Sequence, residues 1–141
     1  MTALDTALVL ESAPRAVRQF VTFIETGDVP DGLFTDDVFC DFTMPQWRLQ
    51  AVGPQQVQGA RVAGHPGPST VVRMRLDSIP GGFLLEFEER WEWDGQRWYA
   101  RELVRADLHD TSIAQLSVYC TGDWDEATVA RHAEEVTLIR P

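Results

Sequence analysis

The chain has no lysine: all twelve of its positive residues are arginine. Schiff-base catalysis, pyridoxal phosphate attachment and a P-loop each need a lysine amine, so all three are excluded. Only two cysteines occur, Cys40 and Cys120, far apart and without the spacing of a zinc site or redox pair, so both are expected to be reduced thiols. No apolar run approaches the roughly 20 residues a membrane helix requires. The opening residues carry Asp5 and no positive charge ahead of a short apolar stretch, unlike a secretory leader, so a cytoplasmic location is expected. There is no excess of positive charge either. The formal charge is −10, which argues against nucleic acid or an anionic membrane as a partner.

What remains is an acidic chain of 141 residues, 44% apolar, long enough to bury its own core as one domain over 1–141. From Ser12 to Thr26, Ala16, Val17, Phe20, Val21 and Ile24 recur at helical spacing, with Ser12 as N-cap and Gly27 as the stop. Leu33 and Phe34 are predicted to form a short helical turn. Strands are predicted over Val38–Thr43 and Trp47–Val52, and a helix from Pro54 to about Val62. The loop Gly64-His65-Pro66-Gly67-Pro68 breaks the pattern and is predicted to be a mobile lid.

From Thr70 the period becomes two. Strands are predicted over 70–78, 82–93 and 96–109, punctuated by Pro80-Gly81 and Asp94-Gly95, with a last strand over Ile113–Cys120. A helix from about Trp124 to Val136 closes the chain, with Asp123 as its cap and Glu126 completing a capping-box variant. The fold class is therefore α+β.

The two-residue turns fix a register. A turn at Asp94-Gly95 sets Glu92 opposite Arg97, Trp91 opposite Trp98 and Glu88 opposite Arg101. A turn at Pro80-Gly81 sets Arg75 opposite Glu86 and Arg73 opposite Glu88. These charge pairs share one face. The other face carries Val72, Met74, Leu76, Leu85, Phe87, Trp91, Trp93, Trp98, Ala100, Val104 and Ala106.

Two carboxylates fall in phase with that apolar face. Glu89 opposes Ala100 and Glu102 opposes Phe87, which makes them diagonal neighbours about 7–8 Å apart at Cα. Carboxylates among aromatic rings must be paired, protonated or turned toward a cavity. Side by side in a low dielectric they split their pKa values, giving one acid and one base for moving a proton on a substrate. Alternatively they pair with an inward arginine, Arg61 or Arg131, or hydrogen-bond Tyr119 or an indole.

His132, at the edge of the last helix's apolar stripe, and Tyr119 are candidates to orient a substrate. Trp47, Met74, Phe87, Trp91 and Trp98 are candidate pocket-lining residues, with a plain aromatic core as the alternative. His65 and His109 are expected to face solvent, and Asp41 to lie on the outer face. Three dispersed histidines give no metal site, and no cofactor is expected.

The order of elements resembles the nuclear transport factor 2-like superfamily, which includes ketosteroid isomerase, scytalone dehydratase, limonene epoxide hydrolase and the SnoaL-type polyketide cyclases. Leu33-Phe34-Thr35-Asp36-Asp37-Val38 and Gly53 resemble the SnoaL-like pattern. The ending Tyr119-Cys120-Thr121-Gly122-Asp123-Trp124-Asp125, with Ala130-Arg131-His132 and Leu138-Ile139-Arg140-Pro141, is similar to a bacterial group of unassigned function. The resemblance implies a cone-shaped roll, a curved antiparallel sheet packed on N-terminal helices with a C-terminal helix. It also implies a small-molecule pocket and often a homodimer built on the outer face of the sheet. The aspartate that the hydrolase and cyclases place on the last strand is replaced here by Val118, and Arg105-Ala106-Asp107 carries the hydrolase's Arg-x-Asp letters on a different strand. The functional expectation is thus a cofactor-independent isomerase, cyclase or hydrolase using Glu89 and Glu102, with a non-catalytic ligand-binding module as the alternative.

Overall fold

The computed structural model describes residues 3–141, with side chains from Thr6 onward. Four helices, α1 (Ala3–Ser12), α2 (Arg15–Thr26), α3 (Pro54–Gly64) and α4 (Glu126–Glu135), accompany six strands. The strands are β1 (Phe34–Met44), β2 (Trp47–Val52), β3 (Ser69–Ile79), β4 (Gly82–Trp93), β5 (Gln96–His109) and β6 (Ser112–Cys120). They form one sheet in the order β2-β1-β6-β5-β4-β3. Among the described residues, no helix is long and apolar enough to cross a membrane.

Strand alternation and turn chemistry account for the β3–β4–β5 meander. Asp94 and Gly95 both take positive φ, 52° and 74°, as a two-residue hairpin turn matched to the strand twist requires. Trp93 faces Gln96, and Glu92–Arg97, Trp91–Trp98 and Glu88–Arg101 follow as expected. Pro80 and Gly81 also close a two-residue turn, which sets Arg73 opposite Glu88 and Arg75 opposite Glu86. Arg73–Glu88 and Arg101–Glu86 approach to 3.7 and 3.6 Å on the outer face. Asp41 joins Arg48 on that same face.

The inner face is covered by α2, whose Ala16, Val17, Phe20, Val21, Phe23 and Ile24 are buried, as are Met74, Leu85, Phe87, Ala100, Val104 and Ala106 beneath them. Two expected inward residues depart from this. A bulge between Val71 and Arg73 turns Val71 inward and leaves Val72 half-buried. Trp93, at the hairpin end beyond the reach of the helices, is exposed.

Other differences are local. Ser12 does not cap α2. It ends a separate first helix and bonds back to the Leu8 and Val9 carbonyls, while Pro14, which has no N–H to satisfy, stands at the α2 N-cap. Leu33 and Phe34 form no helical turn, because Phe34 starts β1. β1 and β6 run parallel, so the sheet is not wholly antiparallel. The cap of α4 is Asp125, whose carboxylate accepts from the Thr128 N–H at 2.8 Å, and Asp123 is released for another role.

Two glycines separate close packing from mere flexibility. An ideal Cβ on Gly82 would lie 1.9 Å from the Ala106 carbonyl oxygen, whereas one on Gly59, inside α3, meets nothing within 4 Å. Gly82→Ala is expected to destabilise the fold by about 1–3 kcal/mol through overpacking. Gly59→Ala is expected to stabilise it by about 0.5–1 kcal/mol through helix propensity. Urea unfolding of the two variants checks both signs.

Candidate functional site

Between α2, α3 and the inner face of the sheet lies a cavity of about 200 Å³. Its walls are apolar, with Phe20, Phe23 and Ile24 from α2 and Phe87, Val104 and Leu116 from the sheet. One end is polar and gathers Arg61, His65, Glu102, Cys120 and Asp123. Phe42, Met44, Pro45 and Gly122 are also among the lining residues.

The two inward glutamates behave differently. Glu89 is fully buried, and its carboxylate is saturated. Arg61 grips it with both terminal nitrogens, Nη2 to Oε1 at 2.6 Å and Nη1 to Oε2 at 2.9 Å, and the Ser69 hydroxyl donates to Oε1 at 2.9 Å. Arg61 Nη2 also donates to the Ile24 carbonyl, so the pair ties α2, α3 and β4 together. Burial alone would raise the Glu89 pKa. The hydrogen bond from Glu102, with His65 and Arg61, outweighs it and holds Glu89 below the usual carboxylate range.

Glu102 is 5% exposed and faces the cavity, and its Oε2 has no hydrogen-bond partner among the described residues. Burial raises its pKa well above the ordinary value, and the neighbouring Glu89 carboxylate pushes it the same way. Glu102 is therefore the carboxylic acid of the pair and Glu89 the carboxylate, a division imposed by Arg61.

His65 is not in solvent, and its loop is not a free lid. The ring is buried, stacks on Trp91 with centroids 4.2 Å apart, and holds Asp123 through Nε2 at 2.7 Å. Its Nδ1 lies 2.8 Å from Arg61 Nη1 and 3.3 Å from Glu89 Oε1, so a proton there is opposed by one neighbour and favoured by the other. Burial disfavours the imidazolium, but Asp123, Cys120 and Glu89 outweigh it, and the histidine pKa rises. The Arg61 contact opposes a second proton on the ring, the Asp123 and Glu89 carboxylates favour it, and the carboxylates prevail, so His65 is an imidazolium.

His65, Cys120 and Asp123 bring a nitrogen, a sulfur and an oxygen within 4.8 Å of one another, as do His65, Glu89 and Glu102. Both nitrogens of His65 are already committed, one to Asp123 and one to Arg61, so a cation at either cluster would first have to displace them.

Of the other candidates, Phe87 lines the cavity and Met74 sits in the packed core. Trp91 and Trp98 stack on each other at 6.3 Å and border a separate open cleft beside α4. Trp47 is 69% exposed. Tyr119 is 52% exposed, because Val118 takes the inward position on β6. His132 packs on Trp124 at 5.0 Å, outside the cavity, and Arg131 is exposed on α4. The residues missed from sequence were His65, Cys120 and Asp123. Cys120 was within reach of the register argument, since it pairs with Glu102 across β5 and β6.

The asymmetry gives opposite signs on stability. Glu89→Gln strands the buried Arg61 guanidinium and is expected to cost about 3–5 kcal/mol. Glu102 ionises near the ordinary carboxyl value of 4.5 when unfolded but resists ionising when folded. Between those two values the native chain holds the extra proton, so this residue's contribution to stability falls as pH rises. Glu89 has the reverse sign, stabilising above the ordinary value and losing that contribution as acid protonates it. Melting curves of Glu102→Gln should show its advantage over the parent widening between about pH 5 and pH 8.

No family model and no curated protein sequence matches the chain. Solved structures do. An NTF2-like protein from Anabaena variabilis is 17% identical with a TM-score of 0.65, over 82% of this chain and 90% of that one. A Catenulispora acidiphila protein with a ketosteroid isomerase-like fold, in complex with trimethylamine, is 11% identical at TM-score 0.60, over 78% and 88%. An LEH-like epoxide hydrolase from M. tuberculosis is 15% identical at TM-score 0.58, over 75% and 80%. Such identities speak to the fold and leave the chemistry to the site; the fold of this chain, a curved six-stranded sheet closing on its helices over an apolar cavity, is that of the NTF2-like proteins.

Proposed function

We propose that the protein takes a small organic molecule into the cavity and that Glu102 exchanges a proton with it, in a cofactor-independent reaction of the isomerase, cyclase or hydrolase kind. The supporting observation is Glu102 itself, a buried carboxyl group on the cavity wall whose Oε2 has no hydrogen-bond partner among the described residues, beside a Glu89 carboxylate held by Arg61 and Ser69. A buried polar oxygen without a partner costs free energy unless something else meets it. A carboxyl group whose pKa is raised above the usual range is better able both to hold a proton and to give it to a substrate.

In this reading Glu89 is a positioning residue. Its charge, fixed by Arg61 and Ser69, keeps Glu102 protonated before the substrate enters. Arg61 meets no substrate directly, since both of its terminal nitrogens are engaged. The apolar walls exclude water and orient the rest of the molecule. The same features serve a non-catalytic binding module, in which Glu102 anchors a ligand and no turnover follows.

The test is turnover on β,γ-unsaturated ketones, epoxides and β-ketoesters, the substrate types of the three reaction kinds. Glu102→Gln should lower kcat roughly 100-fold or more, the usual worth of a general acid or base. Its fold should be intact, as judged by near-ultraviolet circular dichroism. Wild-type turnover in Glu102→Gln would end the acid-base reading and leave the binding module.

A further inference from the structure

Three carboxylates and two cationic side chains meet at the polar end of the cavity. Glu89, Glu102 and Asp123 face Arg61 and His65, with the Cys120 thiol beside them. Two ion pairs form there, Glu89 with Arg61 and Asp123 with His65. Glu102, nine-tenths buried beside the Glu89 carboxylate, has no ion-pair partner among the described residues, and its Oε2 accepts no hydrogen bond from them. Glu102, protonated before a ligand enters, is the acidic group on the cavity wall that no cation holds.

An anionic ligand finds no receptor there. Arg61 spends Nη1 on Glu89 and His65 and Nη2 on Glu89 and the Ile24 carbonyl, while the Glu89 and Asp123 carboxylates repel a further negative charge. The opposite sign is accommodated twice. The Glu102 carboxyl group on the wall can accept a hydrogen bond from a charged donor, and the aromatic rings of Phe20, Phe23, Phe42 and Phe87 line the same cavity, a setting that suits a cation.

We propose that the molecule held in the cavity is an organic amine with a compact apolar body, its ammonium group donating a hydrogen bond to the Glu102 carboxylate. The inference rests on the pocket reading above and narrows its substrate class. No covalent bond forms or breaks in the binding step. As the ammonium enters, the Glu102 carboxyl gives up its proton, which leaves to solvent, and the carboxylate and ammonium remain as an ion pair. The polar end thus keeps its net charge, three carboxylates now facing Arg61, the imidazolium of His65 and the ligand.

Isothermal calorimetry on the intact chain, near neutral pH and in two buffers of different ionisation enthalpy, tests this. The probes are cyclohexylmethylamine, cyclohexylmethanol and cyclohexanecarboxylate, alike in body and different in head group. The amine should bind roughly tenfold or more tighter than the alcohol, the margin of a charge-assisted over a neutral hydrogen bond. About one proton should be released per amine bound, and the carboxylate should give no heat. Glu102→Gln should bring the amine down to the level of the alcohol and abolish the proton release. Equal binding of amine and alcohol, no proton release, or tighter binding of the carboxylate overturns the amine assignment while the pocket reading stands. No binding of any of the three overturns both.

Discussion

The buried pair of Arg61 and Glu89 is the constraint on which the rest of the molecule turns. Register alone sends Glu89 into a face of aromatic and aliphatic side chains, where an isolated carboxylate is untenable. The guanidinium from α3 answers it in bidentate geometry and reaches the Ile24 carbonyl at the end of α2. The helices are thereby fixed over the sheet at the place where the cavity begins. A packed apolar pair would hold them as well or better, since buried ion pairs are weak contributors to stability. Burial would still raise the pKa of the neighbouring Glu102 carboxyl; what the apolar pair would lack is the Glu89 carboxylate that pushes it further the same way.

Much of the architecture was legible because turn chemistry and side-chain phase agree. Asp94-Gly95 admits one register, and every cross-strand pair that follows from it forms, so the inward phase of Glu89 and Glu102 could be counted before any coordinates. What phase cannot supply is the identity of partners outside the sheet. Arg61 was one of several arginines that could have turned inward, and only the packing of α3 on β1 and β2 selects it. His65 was misjudged for a related reason. A glycine- and proline-rich segment reads as solvent-facing, yet the ring is fixed by long-range contacts to Trp91 and Asp123, which local sequence does not encode. Asp123 was obscured by Asp125 two residues on, either of which has the chemistry of a helix cap.

The aromatic residues divide by position along the strands and not by type. Phe87 reaches the cavity because α2 lies above it, while Trp47 and Trp93, equally apolar, stand at hairpin ends that no helix covers. Trp91 belongs to both regions: one face carries the His65 ring, and its edge borders the cleft beside α4. Hydrophobic periodicity identifies a face, and the extent of the covering layer decides which part of that face becomes interior.

The parallel contact between β1 and β6 has a bearing on how the chain assembles during synthesis. The β3–β4–β5–β6 meander grows by successive short-range hairpins, each available once its two strands have left the ribosome. The earlier β1–β2 hairpin has its docking edge only on β6, the last strand to emerge. Through most of translation it must wait unpaired on that side, and the cavity cannot close until residues 112–120 arrive to receive it.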